Sequence, residues 1–115
     1  MKTLKIVLYV FSMMLILVSN ARSAPVATGY GVITYIENGW AGEGFAIRMT
    51  NTVTTSGCTA PAHEYGISAT HPAYNILVAM MMSAYSKQTT IQLVVDQGVC
   101  VLGQRTKILS IRVGS

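Results

Sequence analysis

Charged residues are scarce in this chain of 115 residues. Only 10% of them are Asp, Glu, Lys or Arg, and only four are acidic. General acid–base catalysis needs positioned carboxylates or histidines, and the chain has two histidines, His63 and His71. It also lacks a P-loop, a GxGxxG, a G-x-S-x-G and an HExxH motif. We therefore expect a protein that is not an enzyme, with no catalytic residue, cofactor or metal site.

A hydrophobic run long enough to span a membrane is also missing. The longest such run, Ile6–Val18, is shorter than the about 20 residues that a transmembrane helix needs. Lys2 and Lys5 precede it, and the small residues of SNARSA follow it. This pattern is typical of a secretory signal peptide, which we place at residues 1–23. We expect the cleaved chain to have no membrane span and to reside in the periplasm or outside the cell.

The basic balance of the sequence belongs largely to this leader. Eight basic residues against four acidic ones give the whole chain a net charge of +4. Removal of residues 1–23 takes away Lys2, Lys5 and Arg22, so five basic residues remain and the net charge falls to +1. Because nucleic-acid binding needs a strong basic patch, we do not expect a nucleic-acid partner.

Cysteine is nearly absent, with one residue at position 58 and one at position 100. In an exported chain, two cysteines predict a single disulfide, Cys58–Cys100. They form no CxxC motif and have no neighbouring histidine, which argues against a metal site. Residues 24–115 are predicted to form one domain, and a domain of this size buries a small core that a disulfide would help to stabilise.

The patterning of the mature chain predicts a mainly β protein with one helix. Alternating or β-branched segments predict six short strands, at 28–36, 45–52, 63–70, 89–95, 99–102 and 106–113. Glycine-rich Glu37–Gly44 and the segment Asp96–Gly98 predict turns. Helical periodicity covers Ala73–Gln88, directly after Pro72. The helix therefore falls between the third and fourth predicted strands.

This order of elements fits two architectures in the α+β class. One is an OB-fold, a small barrel of five to six strands in which the helix closes one end of the barrel. The other is an open sheet with the helix packed across it. We favour the OB-fold, although the strand order alone is compatible with both.

The helix carries two apolar stripes where one would be enough to cover a small domain. The first is predicted to face the barrel and contains Tyr74, Leu77, Val78, Met81, Met82 and Tyr85. The second contains Ala73, Ile76, Met80 and Ala84. The second stripe is a candidate interface between subunits. The alternative is a single broad face, rich in gap-filling methionine, that is buried within one chain.

The segment AYNILVAMMMSAYSKQTTIQLVVDQGVC, residues 73–100, resembles a pattern in exported bacterial B subunits of the subtilase cytotoxin, typhoid toxin and pertussis-like group. Those chains carry a similar helix, polar turn, β-branched strand and cysteine. They usually have a glycine and two basic residues at the turn, where this chain has Lys87-Gln88-Thr89-Thr90. The resemblance implies a disulfide-stapled OB-fold, homo-oligomeric ring pentamers, sialylated host glycans as ligands and a separate catalytic toxin subunit as partner.

OB-folds bind ligands on an exposed sheet face and its loops. We therefore expect binding residues among the aromatic and arginine side chains of the strands and loops. The glycan-binding candidates are Tyr35, Trp40, Arg48 and Tyr65. Trp40 lies in a glycine-rich loop and is either a stacking platform or a cap on the barrel end. The second functional hypothesis is a periplasmic or envelope protein-interaction module without a glycan site.

Overall fold

Residues 25–38, 42–51 and 57–114 are described by a computed structural model of the chain. They form one six-stranded sheet and one helix, which confirms the predicted α+β class. The strands are β1 (Pro25–Ala27), β2 (Ile33–Asn38), β3 (Gly44–Met49), β4 (Glu64–Ser68), β5 (Ile91–Val101) and β6 (Arg105–Val113), and the helix α1 is Tyr74–Lys87. The predicted signal peptide, residues 1–23, and Trp40 lie outside the described residues.

The strands are arranged in the order β1-β5-β6-β4-β3-β2. Neighbouring strands are antiparallel except β4 and β6, which run parallel to each other. A parallel pair cannot be joined by a tight turn, and here α1 and β5 lie between β4 and β6 in the chain. The helix packs against β2 and β6.

The two strands at the ends of this order belong to one continuous segment, 25–38. Its first part pairs with β5 from Pro25 onward and ends that pairing at Gly31, which bridges to Ile91. From Ile33 the same segment pairs with β3. The sequence predicts a single first strand here, whereas the structure has two, so α1 follows the fourth strand of the fold rather than the third.

Gly31 lies where this segment changes partners, and its missing side chain makes the change possible. A Cβ atom at Gly31 would lie 2.5 Å from Oγ1 of Thr50. That hydroxyl instead accepts a hydrogen bond from the backbone N–H of Val32 at 3.1 Å. A larger residue at position 31 would therefore separate the segment from the loop after β3.

The prediction of two strands separated by a turn at Asp96–Gly98 is wrong. Residues 91–101 form one long strand, and its pairing with β6 continues to Val101 opposite Arg105. Between Asp96 and Cys100 the register shifts, as in a β-bulge that absorbs the extra residues. The chain reverses later, at residues 102–104, where all three residues have positive φ.

The helix begins and ends close to the predicted positions. At its start, Nδ1 of His71 accepts a hydrogen bond from the backbone N–H of Ala73 at 3.0 Å. At its end, Gln88 adopts the left-handed conformation, with φ of 53°, and its backbone N–H reaches the carbonyls of Ala84 and Tyr85. This is a common way to satisfy the last carbonyls of a helix.

The helix face toward the core agrees with the predicted stripe at four of its six positions, since Tyr74, Leu77, Val78 and Met81 lie in the core or pack against it. Leu77, Met81 and Ala84 are buried, and Ala84 is only 1% exposed. Met82 and Tyr85, which were predicted to face the barrel, are exposed, Met82 to 52%. The buried face is thus shifted toward Ala84 relative to the prediction, because two overlapping apolar stripes leave the exact centre of the face undetermined by periodicity alone.

The core lies between α1 and the inner face of the sheet. Its completely buried members include Ile33, Tyr65, Met81, Leu93 and Ile108, which come from five different elements. The predicted disulfide is confirmed, with the Cα atoms of Cys58 and Cys100 5.7 Å apart. It ties the segment before β4 to the bulged part of β5 and stabilises the fold by about 4 kcal/mol in the loop-entropy account.

Two adjacent methionines of α1 test which helix face is buried. Met81→Ala should lower the free energy of unfolding by about 2–4 kcal/mol, because its side chain is fully buried. Met82→Ala should change it by less than about 0.5 kcal/mol, because that side chain faces solvent. Urea unfolding of the oxidised proteins measures both values. Similar losses in the two variants would contradict this orientation of the helix.

Candidate functional site

Of the four residues predicted to contact a ligand, the three that the structure describes do not share one site. Tyr35 in β2 and Arg48 in β3 lie directly opposite each other in the sheet register, and both are exposed, Tyr35 to 42%. Tyr65 is completely buried, and its hydroxyl donates a hydrogen bond to the carbonyl oxygen of Asn51 at 3.2 Å. Its side chain belongs to the core and is out of reach of a ligand on the surface. Trp40 is among the residues not described.

Tyr35 and Arg48 form a contact pair on the surface of the sheet. The guanidinium carbon of Arg48 lies 5.3 Å from the centroid of the Tyr35 ring, within the range of a cation–π interaction. Directly opposed residues of antiparallel strands have neighbouring side chains, which explains why two distant sequence positions meet here. We call them the Tyr35–Arg48 pair.

Two glutamates hold this pair in place. The Tyr35 hydroxyl donates a hydrogen bond to Oε2 of Glu37, two residues along the same strand, at 2.6 Å. The Nε of Arg48 donates to Oε1 of Glu64 at 3.2 Å, and its Nη2 contacts the same oxygen. Glu64 lies opposite Arg48 in the pairing of β3 with β4. Each member of the pair is therefore oriented by its own carboxylate.

Arg105 of β6 connects the two glutamates. Its Nη2 forms an ion pair with Glu37, and its Nε lies 3.5 Å from Oε2 of Glu64. The parallel pairing of β4 with β6 brings Arg105 beside Glu64. These three side chains are largely buried, which strengthens their mutual attraction relative to that of exposed ions. We call Tyr35, Glu37, Arg48, Glu64 and Arg105 the five-residue network.

The carboxylates set the protonation states of the exposed pair. The hydrogen bond to Glu37 raises the pKa of the Tyr35 hydroxyl, because the carboxylate disfavours a neighbouring phenolate. The hydrogen bond to Glu64 likewise raises the pKa of the Arg48 guanidinium, because the carboxylate favours its charged form. Tyr35 therefore remains a neutral phenol and Arg48 a cation throughout the neutral pH range.

The network combines a ring surface with donors and acceptors but has no net formal charge. Its two arginines and two glutamates balance each other. A hydroxyl-rich ligand finds an aromatic face for its C–H groups and paired donors and acceptors for its hydroxyls, which is the mixed character expected of a specific small-ligand site. An anionic ligand gains less here, since Arg48 already has a carboxylate partner.

Sequence reasoning missed Glu64 and Arg105 as parts of this site. Arg105 follows a turn and Glu64 opens a short strand, so neither position has a pattern of its own. Their contact depends on the parallel pairing of β4 and β6, which joins positions about forty residues apart in sequence. The only sequence signal for these two residues was their charge. Since the mature chain contains few acidic and basic residues, most of these residues were available to form ion pairs.

The four interface candidates, three on α1 and Ala73 directly before it, also lie in different environments. Ala84 belongs to the core of the chain, and Ala73 packs against that core. Met80 is half-buried, whereas Ile76 is exposed to 67%. Ile76 is therefore the member of this set with most of its side chain available for a second subunit.

Comparison of the chain with known protein families, with curated proteins and with solved structures finds no match. No helix among the described residues has the length and hydrophobicity required to cross a bilayer. The same residues contain no cluster of three or more His, Cys, Asp or Glu side chains that would hold a metal ion.

Replacing Arg105 tests the ionic part of the network. Arg105→Met leaves Glu37 and Glu64 partly buried without the cation between them, so the free energy of unfolding should fall by roughly 2–3 kcal/mol at neutral pH. Arg48→Met is the matched control, because Arg48 is more exposed and Glu64 keeps Arg105. We expect little change in this control by urea unfolding. Equal losses in both variants would show that Arg105 has no special role.

Proposed function

We propose that this protein is an exported receptor-binding subunit that recognises glycans as a homo-oligomeric ring, in the manner of the B subunits that it resembles. The observation that carries the proposal is the exposed Tyr35–Arg48 pair, oriented by Glu37 and Glu64. The disulfide is compatible with an oxidising destination such as the periplasm or the medium. Sialylated host glycans are the proposed ligands, and a catalytic toxin subunit is the proposed partner.

The strand pairing supports an OB-fold as the architecture of this subunit. If segment 25–38 is counted as one bent strand, five strands remain, and both ends of the strand order fall in that first strand. The helix then lies between the third and fourth of these strands, and the third and fifth are parallel. A five-stranded barrel with these properties is what we propose, and such barrels bind oligosaccharides on exposed strands and loops.

The chemistry of the Tyr35–Arg48 pair suits a sugar. The exposed part of the Tyr35 ring offers a flat apolar surface for a sugar ring. The N–H groups of Arg48 that do not contact Glu64 can donate hydrogen bonds to the hydroxyls of that sugar. One such site has modest affinity, because it is shallow and exposed. Several copies in a ring would raise the overall affinity by avidity.

A second candidate function is favoured by the surface of α1. Ile76, Met82 and Tyr85 are exposed large hydrophobic side chains on a short helix, and they lie outside the core-facing stripe. An envelope protein-interaction module without a glycan site would use such side chains to contact another protein. The two functions predict different oligomeric states and different ligands.

The native mass of the oxidised mature chain separates these functions. For the ring, we expect about five times the mass of one chain, and Ile76→Asp should dissociate it, because a charge would then be buried between subunits. Light scattering after gel filtration measures both. Ser86→Asp, an exposed polar position on a different face of the same helix, is the control. A monomeric wild-type protein would contradict the ring.

Two variants of Tyr35 test the glycan site. Tyr35→Ala should weaken binding of the intact protein to a sialoside array by about tenfold or more, since the stacking surface is lost in every subunit. Tyr35→Phe keeps the aromatic ring of the side chain and loses only the hydrogen bond to Glu37, so its glycan binding should lie between that of wild type and that of Tyr35→Ala. Wild-type protein that binds no glycan, or a Tyr35→Ala variant that binds normally, would rule out this site.

A further inference from the structure

A second group of polar side chains lies on the outer surface of β5 and β6, away from the five-residue network. Gln92 pairs with Arg112 in the register of these strands, and Val94 pairs with Ser110. Positions two apart on a strand share a face, so all four side chains lie on the same side of the sheet. Together with Ile111 they line a shallow cavity of about 120 Å³.

Arg112 is held at this cavity by neutral partners. Its Nη1 donates to the hydroxyl oxygen of Tyr30 at 3.3 Å and to Oε1 of Gln92 at 3.1 Å. Gln92 is itself oriented, because its Nε2 donates to the carbonyl oxygen of Thr28 at 2.9 Å. Segment 25–38 therefore helps to position the guanidinium through both Tyr30 and Thr28.

The N–H groups of Arg112 that make none of these contacts lie together on one edge of the guanidinium group. A guanidinium has five N–H groups, and the two on Nη1 are used by Tyr30 and Gln92. Within residues 25–38, 42–51 and 57–114, the Nε and Nη2 groups of Arg112 have no hydrogen-bond partner. The Nε–Nη2 edge binds a carboxylate through two parallel hydrogen bonds.

The charge of Arg112 also differs from that of the other arginines. Arg48 and Arg105 each form ion pairs with glutamate, whereas Arg112 has no carboxylate within ion-pair distance among the described residues. The acidic residue further along this face, Asp96, lies opposite Lys107 in the register. The hydrogen bond to Tyr30 raises the pKa of Arg112, so its charge is permanent. The cavity is thus a cationic site whose anion is not supplied by the described part of the chain.

We propose that Arg112, with Tyr30, Gln92 and Ser110 around it, forms a second binding site whose ligand is the carboxylate of an acidic glycan. This inference rests on the glycan-binding function proposed above. It assigns the recognition of the ligand's acidic group to Arg112. The carboxylate lies on the free guanidinium edge, Ser110 hydrogen-bonds a neighbouring polar group, and Val94 contacts a small apolar substituent. The Tyr35–Arg48 pair, whose charge is balanced within the five-residue network, binds uncharged sugar rings, and Arg112 selects for acid.

The test compares sialyllactose with lactose on the intact oxidised protein. Backbone amide shifts in a ¹⁵N-labelled sample report where each sugar binds, and a titration gives its affinity. We expect sialyllactose, but not lactose, to shift the amides of residues 92–94 and 110–112. Arg112→Gln should reduce the affinity for sialyllactose by about tenfold, toward that for lactose, because a charged hydrogen-bonded contact is lost.

Two further variants and one further ligand extend this comparison. Arg112→Lys keeps the charge but loses the planar edge, so its affinity for sialyllactose should lie between those of wild type and Arg112→Gln. Lys87→Gln removes the same charge from the exposed end of α1 and should leave binding unchanged. Sulfated lactose, which carries an anion without a carboxylate, should bind more weakly than sialyllactose.

The outcomes distinguish this inference from the proposed function. If sialyllactose binds and Arg112→Gln binds it equally well, the carboxylate site is wrong while glycan recognition stands. Equal affinity for sulfated lactose and sialyllactose would also overturn the assignment to a carboxylate. If neither sialyllactose nor lactose binds the wild-type protein, the proposed function and the inference fail together.

Discussion

The sharing of one segment between two distant strands is the constraint on which the structure depends. Residues 25–38 pair first with β5 and then with β3, and the change of partner occurs next to Gly31, where the backbone approaches Thr50 closely. The segment thereby joins both ends of the strand order. It also supplies Tyr30 to the cluster around Arg112 and Tyr35 to the five-residue network.

Four of the charged side chains lie together where they have structural consequences. Glu37, Glu64 and Arg105 form a largely buried ionic group beneath an exposed aromatic side chain. Burial of ions is costly unless every charge is paired, and here each carboxylate has an arginine partner. The resulting surface is polar and locally neutral. Arg112 differs from this group, since it is exposed and its described partners are neutral, and this contrast separates the two proposed sites chemically.

The helix illustrates how far a periodic pattern determines structure. Its position and ends are close to those expected, because helix formers, a preceding proline and a left-handed residue at position 88 act locally. Its orientation agrees with the prediction only in part: Leu77 and Met81 are buried as expected, but Ala84 also faces the core, whereas Met82 and Tyr85 face solvent. Since apolar residues surround much of the helix, only the shape of the sheet beneath it selects the buried face.

The sequence by itself determined the α+β class, the approximate positions of most strands, the helix and the disulfide, because each follows from local pattern or from cysteine count. It also predicted Tyr35 and Arg48 as candidate ligand contacts. The tertiary structure alone decided that these two residues meet, that Tyr65 is buried, and that Glu64, Arg105 and Arg112 belong to polar clusters. The physical reason is that cross-strand register joins residues far apart in the chain, and no local preference specifies which strands become neighbours.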